Sequence, residues 1–470
     1  MRRTILALLL PSLLLGACLA PVTARAQSPT PVQALGRDIL RQLIRINTTH
    51  EDGNTTWAAE SLAARFRAAG FPAGDVLVIG PDGQKDRNLV VRWRGRGKQR
   101  PVILMAHLDV VQALRSDWSM DPFTLTERDG YLYGRGVGDV KGGCAMLAAA
   151  MIQLKREGFV PDRDYILILT AGEEAGAGYA GIEWLIANRP ELRDAAYALN
   201  VDAGGGELDH DRPRDFTVSA AEKIYFTVTF TVRNAGGHSS RPGPVNAIDQ
   251  LAQALVRLEA YHFPVRLNLV TREYFEGQAA LDTAHASDFR ALLRTPPDSG
   301  AIARLSAANT FWAAVLHTTC VPTRLQGGHA DNALPQFAQA TVNCRLLPDE
   351  SPDSIMATLT RIVNDTAVHI AITDSAKASP PTPLAADLRT VLTRLVRQEW
   401  GPVPIVPVME SGATDGLYLR LVGVPVFGTS SQFIDPADDR SHGRDERVPA
   451  RRFDEGTDFQ YRLLRALAGG

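Results

Sequence analysis

A histidine and an aspartate that could take part in metal chemistry follow the apolar run at residues 101–106, which is predicted to be a buried strand. They are His107 and Asp109. In an extended chain, residues two apart project to the same side, so Asp109 can hold one nitrogen of the His107 ring while the other nitrogen binds metal. A histidine that caps a loop is the commoner explanation of such a pair, so this motif alone does not establish a site.

More acidic residues and a second histidine occur farther along the chain. The first three closely follow predicted strands, and the last lies in a Ser-His-Gly triplet: Glu173, Glu174, Asp202 and His442. Open α/β sheets gather their sites at the carboxyl ends of parallel strands, so these side chains are expected to converge. The adjacent glutamates could divide metal binding and proton transfer between them, although a solvated pair is the alternative. Two imidazoles with several carboxylates favour zinc or a related divalent ion.

A glycine-rich segment at residues 134–143 carries Asp139. Glycines allow the backbone to approach a ligand closely, and the helix that follows could bind an anion at its amino end. A nucleotide-binding loop is disfavoured because neither the G-x-x-x-x-G-K-[ST] nor the G-x-G-x-x-G spacing is present. An acid held among glycines is well placed to bridge two cations, and Asp139 is the candidate for that role.

The composition of the chain narrows the class of protein. The 470 residues are 45% hydrophobic and 22% charged, which is typical of a globular protein of two or three domains. The formal charge of −2 argues against a nucleic-acid partner. Because the four cysteines form no CxxC pair, any metal must be held by histidines and carboxylates. Cys320 and Cys344 could pair in an oxidising compartment, whereas Cys144 is expected to be packed in the interior.

The elements that must position these residues change character along the chain. Residues 27–221 alternate strands with helices, which predicts a mainly parallel, helix-covered sheet of the α/β class. Residues 222–375 contain long alternating strands and amphipathic helices, with an irregular insert at about 271–325. This pattern predicts a small α+β sandwich inserted into the larger domain. The α/β pattern returns in residues 376–470, so the first and last segments are expected to form one split domain.

The amino terminus has the features of a secretory leader. Two arginines precede an apolar run at residues 5–15, and an Ala-Arg-Ala pattern follows. This order predicts a signal peptide of residues 1–26, cleaved before Gln27, and export to the periplasm or the medium. A lipobox-like Leu-Gly-Ala-Cys offers the alternative of a lipoprotein anchored through Cys18, although the soluble product is favoured. No later apolar run is long enough to span a bilayer.

Taken in order, these motifs resemble the M20 family of metallopeptidases and amidohydrolases, which includes carboxypeptidases, aminoacylases and dipeptidases. The resemblance covers nearly all of the chain after the leader. The segments that carry it are residues 106–111, 133–142, 172–174, 236–240 and 331–335, together with Asp202 and residues 442–443. It implies a catalytic domain of the zinc exopeptidase type and an inserted lid and dimerisation domain.

The resemblance also implies a set of metal ligands. His107, Asp139 and Asp202 would hold one divalent ion, and Asp139, Glu174 and His442 would hold the other. Asp139 would therefore bridge two ions, for which zinc is favoured over cobalt or manganese.

Further roles follow from the same resemblance. Asp109 would orient His107, Glu173 would be the general base, and His238 would stabilise the oxyanion, often across the interface of a homodimer. The residues implied to grip a substrate carboxylate are Asn332, Arg345 and Thr414.

The implied reaction is two-metal hydrolysis of an amide bond, releasing a C-terminal amino acid from a peptide or an N-acyl amino acid. Residues 117–118 and 121–123 resemble the carboxypeptidase S branch, which shares Asp at the position of Asp202 with the dipeptidases and aminopeptidases of the family. A dipeptidase or aminopeptidase is the alternative within the family. An exported, non-catalytic binding protein is disfavoured because every expected ligand position is filled. A serine hydrolase is disfavoured because no G-x-S-x-G elbow is present.

The predicted cleavage site determines the amino-terminal residue of the mature protein and therefore its mass. We expect mass spectrometry of the exported chain to find Gln27 at the amino terminus, because the small residues before it fit signal peptidase. A mature chain that begins at a diacylated Cys18 would contradict this prediction.

Overall fold

The computed structural model describes residues 28–175, 179–374 and 377–469. The predicted leader at residues 1–26, with its alternative cleavage at Cys18, lies outside these ranges. Within them, the structure contains no helix with both the length and the apolar character needed to cross a bilayer.

The first part of the chain alternates helices and strands. The helices are α1 (Pro31–Ile44), α2 (Thr55–Ala68), α3 (Lys141–Arg156) and α4 (Gly181–Asn188). The strands are β1 (Val76–Ile79), β2 (Asn88–Trp93), β3 (Gln99–His107), β4 (Thr126–Arg128), β5 (Tyr131–Tyr133), β6 (Arg163–Thr170), β7 (Tyr197–Asn200), β8 (Gly205–Asp209) and β9 (Arg212–Glu222). Local chemistry sets their ends: Thr30 and Gln33 form a reciprocal capping box that begins α1.

The middle part contains longer strands and several short helices. Its strands are β10 (Ile224–Arg233), β11 (Gly237–His238), β12 (Thr319–Gly327), β13 (Ala333–Leu334), β14 (Phe337–Leu346) and β15 (Val368–Asp374). Its helices are α5 (Ala247–Glu259), α6 (Leu269–Leu281), α7 (Ala286–Leu292), α8 (Ser299–Ala308), α9 (Thr310–Leu316) and α10 (Pro352–Val363).

The last part returns to alternating helices and strands. Its helices are α11 (Ala386–Trp400), α12 (Gly416–Leu421) and α13 (Ala450–Leu467). Its strands are β16 (Ile405–Glu410), β17 (Val426–Gly428), β18 (Phe433–Ile434) and β19 (Arg447–Pro449).

The first and last parts build one large sheet. Its strand order is β1-β2-β6-β3-β7-β17-β9-β8-β18, and β16 pairs with β9. At the centre, β6, β3, β7 and β17 are parallel. Leu104 of β3 packs into the core beneath α1, α3 and α13, whereas Ile103 and Met105 pack into a second core on the opposite face, beneath α4 and α12. The sheet is therefore covered by helices on both faces, which confirms the predicted α/β class.

The middle part builds a separate sheet that forms the lid. Strands β12, β14, β10 and β15 are neighbours in that order, and all three pairs are antiparallel. Alternate residues of β10, such as Phe226 and Val228, pack under α5 and α10, while Tyr225 and Thr227 occupy the other face. This arrangement confirms the predicted α+β sandwich.

The structure corrects the prediction of an irregular insert at about 271–325. Most of this segment is helical, from α6 to α9, and β12 ends it. The four helices share one core with β9 and β16 of the large sheet: α6 packs on these strands, and residues such as Phe275 and Phe289 join the helices to one another. These helices are short and interrupted, so their periodicity in the sequence is weak.

Lys223 marks the crossing between the two sheets, directly after β9 and before β10. Its ammonium group is buried and donates hydrogen bonds to the carbonyls of Ala314 (2.7 Å) and His317 (2.9 Å). These bonds tie the crossing to the end of α9, and burial lowers the pKa of Lys223 to about 7.

The structure also joins Cys320 to Cys344 in a disulfide, a pairing that the sequence left open. The two cysteines lie opposite one another on β12 and β14. Cys144 is free and buried, and its thiol lies 3.1 Å from the carbonyl oxygen of His107.

Candidate metal centre

The predicted ligands converge because neighbouring parallel strands end at one edge of the large sheet. His107 is the last residue of β3, Glu174 follows β6, and Asp202 follows β7. Strand β3 pairs in parallel with both β6 and β7, so these three side chains start from adjacent positions.

His107 faces two carboxylates. Its Nε2 atom lies 3.0 Å from Oδ1 of Asp139 and 3.4 Å from Oδ1 of Asp202. The side chain is only 2% exposed. Although burial lowers it, Asp202 and Asp139 raise the pKa of His107 well above its usual value. Burial raises the pKa of Asp202 to about 6.

His442 reaches the same carboxylate from the opposite side. Its Nε2 atom lies 2.9 Å from Oδ2 of Asp139 and 2.8 Å from Oε1 of Glu174. Asp139 therefore presents one oxygen to each ring. Although burial acts to raise it, His107 and His442 lower the pKa of Asp139.

The donor atoms fit divalent ions such as zinc. In each of two groups, one atom per residue lies within 4.8 Å of the others, and Asp139 belongs to both: His107 with Asp139 and Asp202, and Asp139 with Glu174 and His442. Ligands that share a tetrahedral zinc at about 2.0 Å lie about 3.3 Å apart, close to the distances seen here. The structure thus brings together all five predicted ligands.

Glu173 lies beside these groups. One of its carboxylate oxygens lies within 4.8 Å of ligand atoms of His107 and Glu174. Burial raises the pKa of Glu173 well above its usual value, and Asp202 and Asp415 add to the effect while His107 opposes it. A carboxylate with a raised pKa is suited to accepting a proton near neutral pH.

Asp109 differs in detail from the prediction. The Nδ1 atom of His107 donates to the backbone carbonyl of Asp109 at 2.9 Å, whereas the nearer carboxylate oxygen is 3.9 Å away. The carbonyl therefore selects the neutral tautomer in which Nδ1 keeps its proton and Nε2 is free to bind an ion. The Asp109 carboxylate accepts the backbone N–H of Glu174 at 2.9 Å.

His238 and Asn332 lie together on the lid. Strand β11, which contains His238, pairs with β13, and the N–H of Ser239 donates to the carbonyl of Asn332. The backbone N–H of Ser240 donates to Nδ1 of His238 at 3.2 Å, so the neutral ring carries its proton on Nε2. In the described part of the chain, no hydrogen bond or ion pair joins His238 to the metal ligands.

Arg345 and Thr414 have different environments. Burial lowers the pKa of Arg345, while Tyr225 and Glu173 act in the other direction, so its guanidinium lies within electrostatic range of Glu173. The Thr414 hydroxyl donates to Glu222 at 2.9 Å and accepts from Asn200 at 3.0 Å. The Thr414 side chain therefore connects Glu222 to Asn200, which is a structural role.

Two residues of the site were missed by sequence reasoning. Arg135 and Glu446 form a buried ion pair at 2.7 Å behind the Asp139 loop. Their positions in the sequence could have pointed to them, because Arg135 lies inside the glycine-rich segment and Glu446 follows His442 by four residues.

Comparison with known proteins identifies the class. The fold is similar to that of an M20 family metallo-carboxypeptidase from Sulfolobus solfataricus, with a TM-score of 0.71 and 17% identity, covering 92% of this chain and 99% of that one. The sequence is 29% identical to the human N-fatty-acyl-amino acid synthase/hydrolase PM20D1, covering 78% of this chain and 74% of that protein. It is 27% identical to a probable carboxypeptidase S-like protein of Dictyostelium discoideum, covering 80% and 74%.

The fold and the site thus define a metal-dependent hydrolase. The model of peptidase family M20/M25/M40 matches residues 103–466. The chain belongs to this family.

Metal binding should release a proton from His442. Hydrogen bonds with Asp139 and Glu174 raise the pKa of His442 to about 10, so the ring is protonated near neutral pH in metal-free protein. Because Nε2 must lose that proton to bind an ion, we expect the wild type to release about one more proton than His442→Asn when saturated with zinc. Calorimetry in buffers of different ionisation enthalpy measures this, and equal proton release would contradict it.

Proposed function

We propose that this chain is a two-metal hydrolase that releases a C-terminal amino acid from a peptide or an N-acyl amino acid. The observation that carries the proposal is the position of Asp139. Its two oxygens face His107 at 3.0 Å and His442 at 2.9 Å, with Glu173 beside them. One bridging carboxylate between two three-residue donor groups is the arrangement that a pair of divalent ions requires.

The chain supplies the ligands for both ions, which we propose to be zinc, with cobalt or manganese as alternatives. His107, Asp139 and Asp202 would hold one ion, and Asp139, Glu174 and His442 the other. Two divalent ions would lower the pKa of a water molecule and polarise the amide carbonyl of the substrate.

Glu173 acts as the general base. Its raised pKa suits it to accept the proton of the attacking water. As the C–N bond breaks, Glu173 gives that proton to the leaving nitrogen, so the carboxylate returns to its starting state. Asp109 supports this step, because it holds the backbone of Glu174 next to the base.

The lid supplies the groups for the substrate. The planar guanidinium of Arg345 is suited to a carboxylate, and it lies within electrostatic range of Glu173. A free carboxylate on the released amino acid would therefore lie close to the scissile bond. We propose that Asn332 also binds the substrate carboxylate. Thr414 would support this side of the site through its hydrogen bond to Glu222.

The relatives support N-acyl amino acids as a substrate class. The human relative is named for hydrolysis of N-fatty-acyl amino acids, and another relative is named as carboxypeptidase S-like. Both reactions cleave an amide next to a carboxyl-terminal amino acid.

We also propose that the enzyme is a homodimer joined through the lid. Strand β12 is the edge of the lid sheet, and its Leu325 and Val321 are 70% and 54% exposed. An edge strand with exposed apolar side chains can pair with a second copy. His238 of one chain would then stabilise the oxyanion in the site of the other, with Nε2–H as the donor.

Export of the protein is part of the proposal. It rests on the predicted leader and is supported by the disulfide between Cys320 and Cys344, because disulfides persist in oxidising compartments.

Replacing the base should abolish turnover without removing the ions. We expect the wild type to hydrolyse N-acetylated dipeptides and N-acyl amino acids, and to lose this activity when the C-terminal carboxylate is amidated. Glu173→Gln keeps the shape but cannot accept the proton, so we expect a loss of about 100-fold or more in kcat. Metal analysis should still find two ions per chain.

A matched control is Glu60→Gln, which changes an exposed glutamate on α2 and should keep full activity. Retained activity in Glu173→Gln would contradict the mechanism. Hydrolysis that requires a free amino group would instead favour the dipeptidase or aminopeptidase, and the absence of hydrolysis with any substrate would favour the binding protein.

Mixed dimers test the role of His238. Glu173→Gln and His238→Ala should each be inactive, but a heterodimer of the two has one site with an intact base and an intact partner histidine. Random exchange should therefore restore about one quarter of the wild-type activity. If the two variants carry different affinity tags and co-purification through both tags shows that subunits have exchanged, no recovery of activity would place His238 in its own chain's site.

A further inference from the structure

Four N–H groups converge on the buried carboxylate of Glu446. Its Oε2 atom accepts from Nη1 of Arg135 at 2.7 Å and from the backbone of Gly136 at 3.0 Å. Its Oε1 atom accepts from the backbone of Gly138 at 2.8 Å and of Asp139 at 3.1 Å. Both side chains of the ion pair are almost fully buried, at 3% and 1% exposed. The backbone of the loop from Gly136 to Asp139 is therefore fixed by one residue.

The same ion pair also holds the other loop. Nη2 of Arg135 donates to the carbonyl of Gly443 at 2.8 Å, next to His442. His442 itself has a φ of 62°, in the left-handed region that is unfavourable for a residue with a Cβ atom. Such a conformation persists only where the surroundings hold it. The hydrogen bond from Arg135 to the Gly443 carbonyl restrains the backbone next to His442 in this way.

The ligands of the two ions are positioned by different means. His107 and Asp202 are fixed by strands β3 and β7, which are hydrogen-bonded neighbours in the centre of the sheet. Asp139 lies in the loop after β5 and His442 lies in the loop before β19; these two strands pair, but both ligands lie beyond the paired residues. Arg135 and Glu446 connect these two loops directly.

We propose that Arg135 and Glu446 are positioning residues for the ion held by Asp139, Glu174 and His442. They set the distance between the Asp139 and His442 side chains. Their loss therefore weakens this ion, which takes two ligands from the joined loops, more than the ion held by His107, Asp139 and Asp202, which takes only Asp139 from them. The inference rests on the two-ion centre proposed above.

Metal titration of Glu446→Gln tests this role. Glutamine keeps one acceptor oxygen, but its NH₂ group faces N–H donors where Glu446 has its second oxygen. We expect calorimetric titration of the metal-free variant with zinc to show one affinity close to that of the wild type and one weakened by about 10- to 100-fold. Arg135→Lys should give the same pattern, because a single ammonium cannot reach both Glu446 and Gly443.

Asp75→Asn is the matched control. Asp75 is also a buried carboxylate, and it accepts two hydrogen bonds from Arg94, at 2.7 and 3.0 Å, just before the edge strand β1. It should lower the melting temperature as Glu446→Gln does, but leave both metal affinities unchanged. This contrast separates positioning of the ion from general stability.

Two unchanged affinities in Glu446→Gln, or an equal loss of both, would overturn the inference while leaving the two-ion function intact. If Glu446→Gln does not fold, the same two outcomes in Arg135→Lys decide the question. A wild-type chain that binds only one ion would overturn the proposed function and this inference with it.

Discussion

Repulsion between carboxylates at the carboxyl ends of the parallel strands governs the architecture of this site. Asp139, Glu174 and Asp202 lie within reach of one another, with Glu173 beside them, and burial makes their charges costly. Such a cluster is stable only with compensating positive charge, which imidazolium groups or divalent ions can supply. This compensation raises the pKa of His442 and lowers the pKa of Asp139, because each charged group stabilises the other.

The large sheet holds these ligands in place against their repulsion because both of its faces are buried. Strand β3 packs into one core on each side, which leaves the strand little freedom and holds His107 at its end. The loops that carry Asp139 and His442 are not held by packing of the sheet. Their ligands depend on hydrogen bonds between distant parts of the chain, such as those that Glu446 accepts from Gly138 and Asp139.

The lid adds groups that the large sheet does not contain. Arg345 lies on β14 of the lid, and the charge of Glu173 acts on its guanidinium across the two domains, opposing the effect of burial on the pKa of Arg345. His238 and Asn332 are exposed on the lid and contact each other's loops instead of the metal ligands.

The sequence by itself determined the fold class and the identity of the cluster, because both depend on local patterns. The alternation of strands and helices in residues 27–221 and 376–470 predicts the large sheet that they form, and residues that follow its buried parallel strands must meet at one edge. The short helices from α6 to α9 were not predicted, since their burial against β9 and β16 depends on tertiary packing. The tertiary structure alone decided that the backbone of Asp109, not its carboxylate, orients His107. It also revealed the Arg135–Glu446 pair, because these residues are 311 positions apart and only the folded chain brings them together.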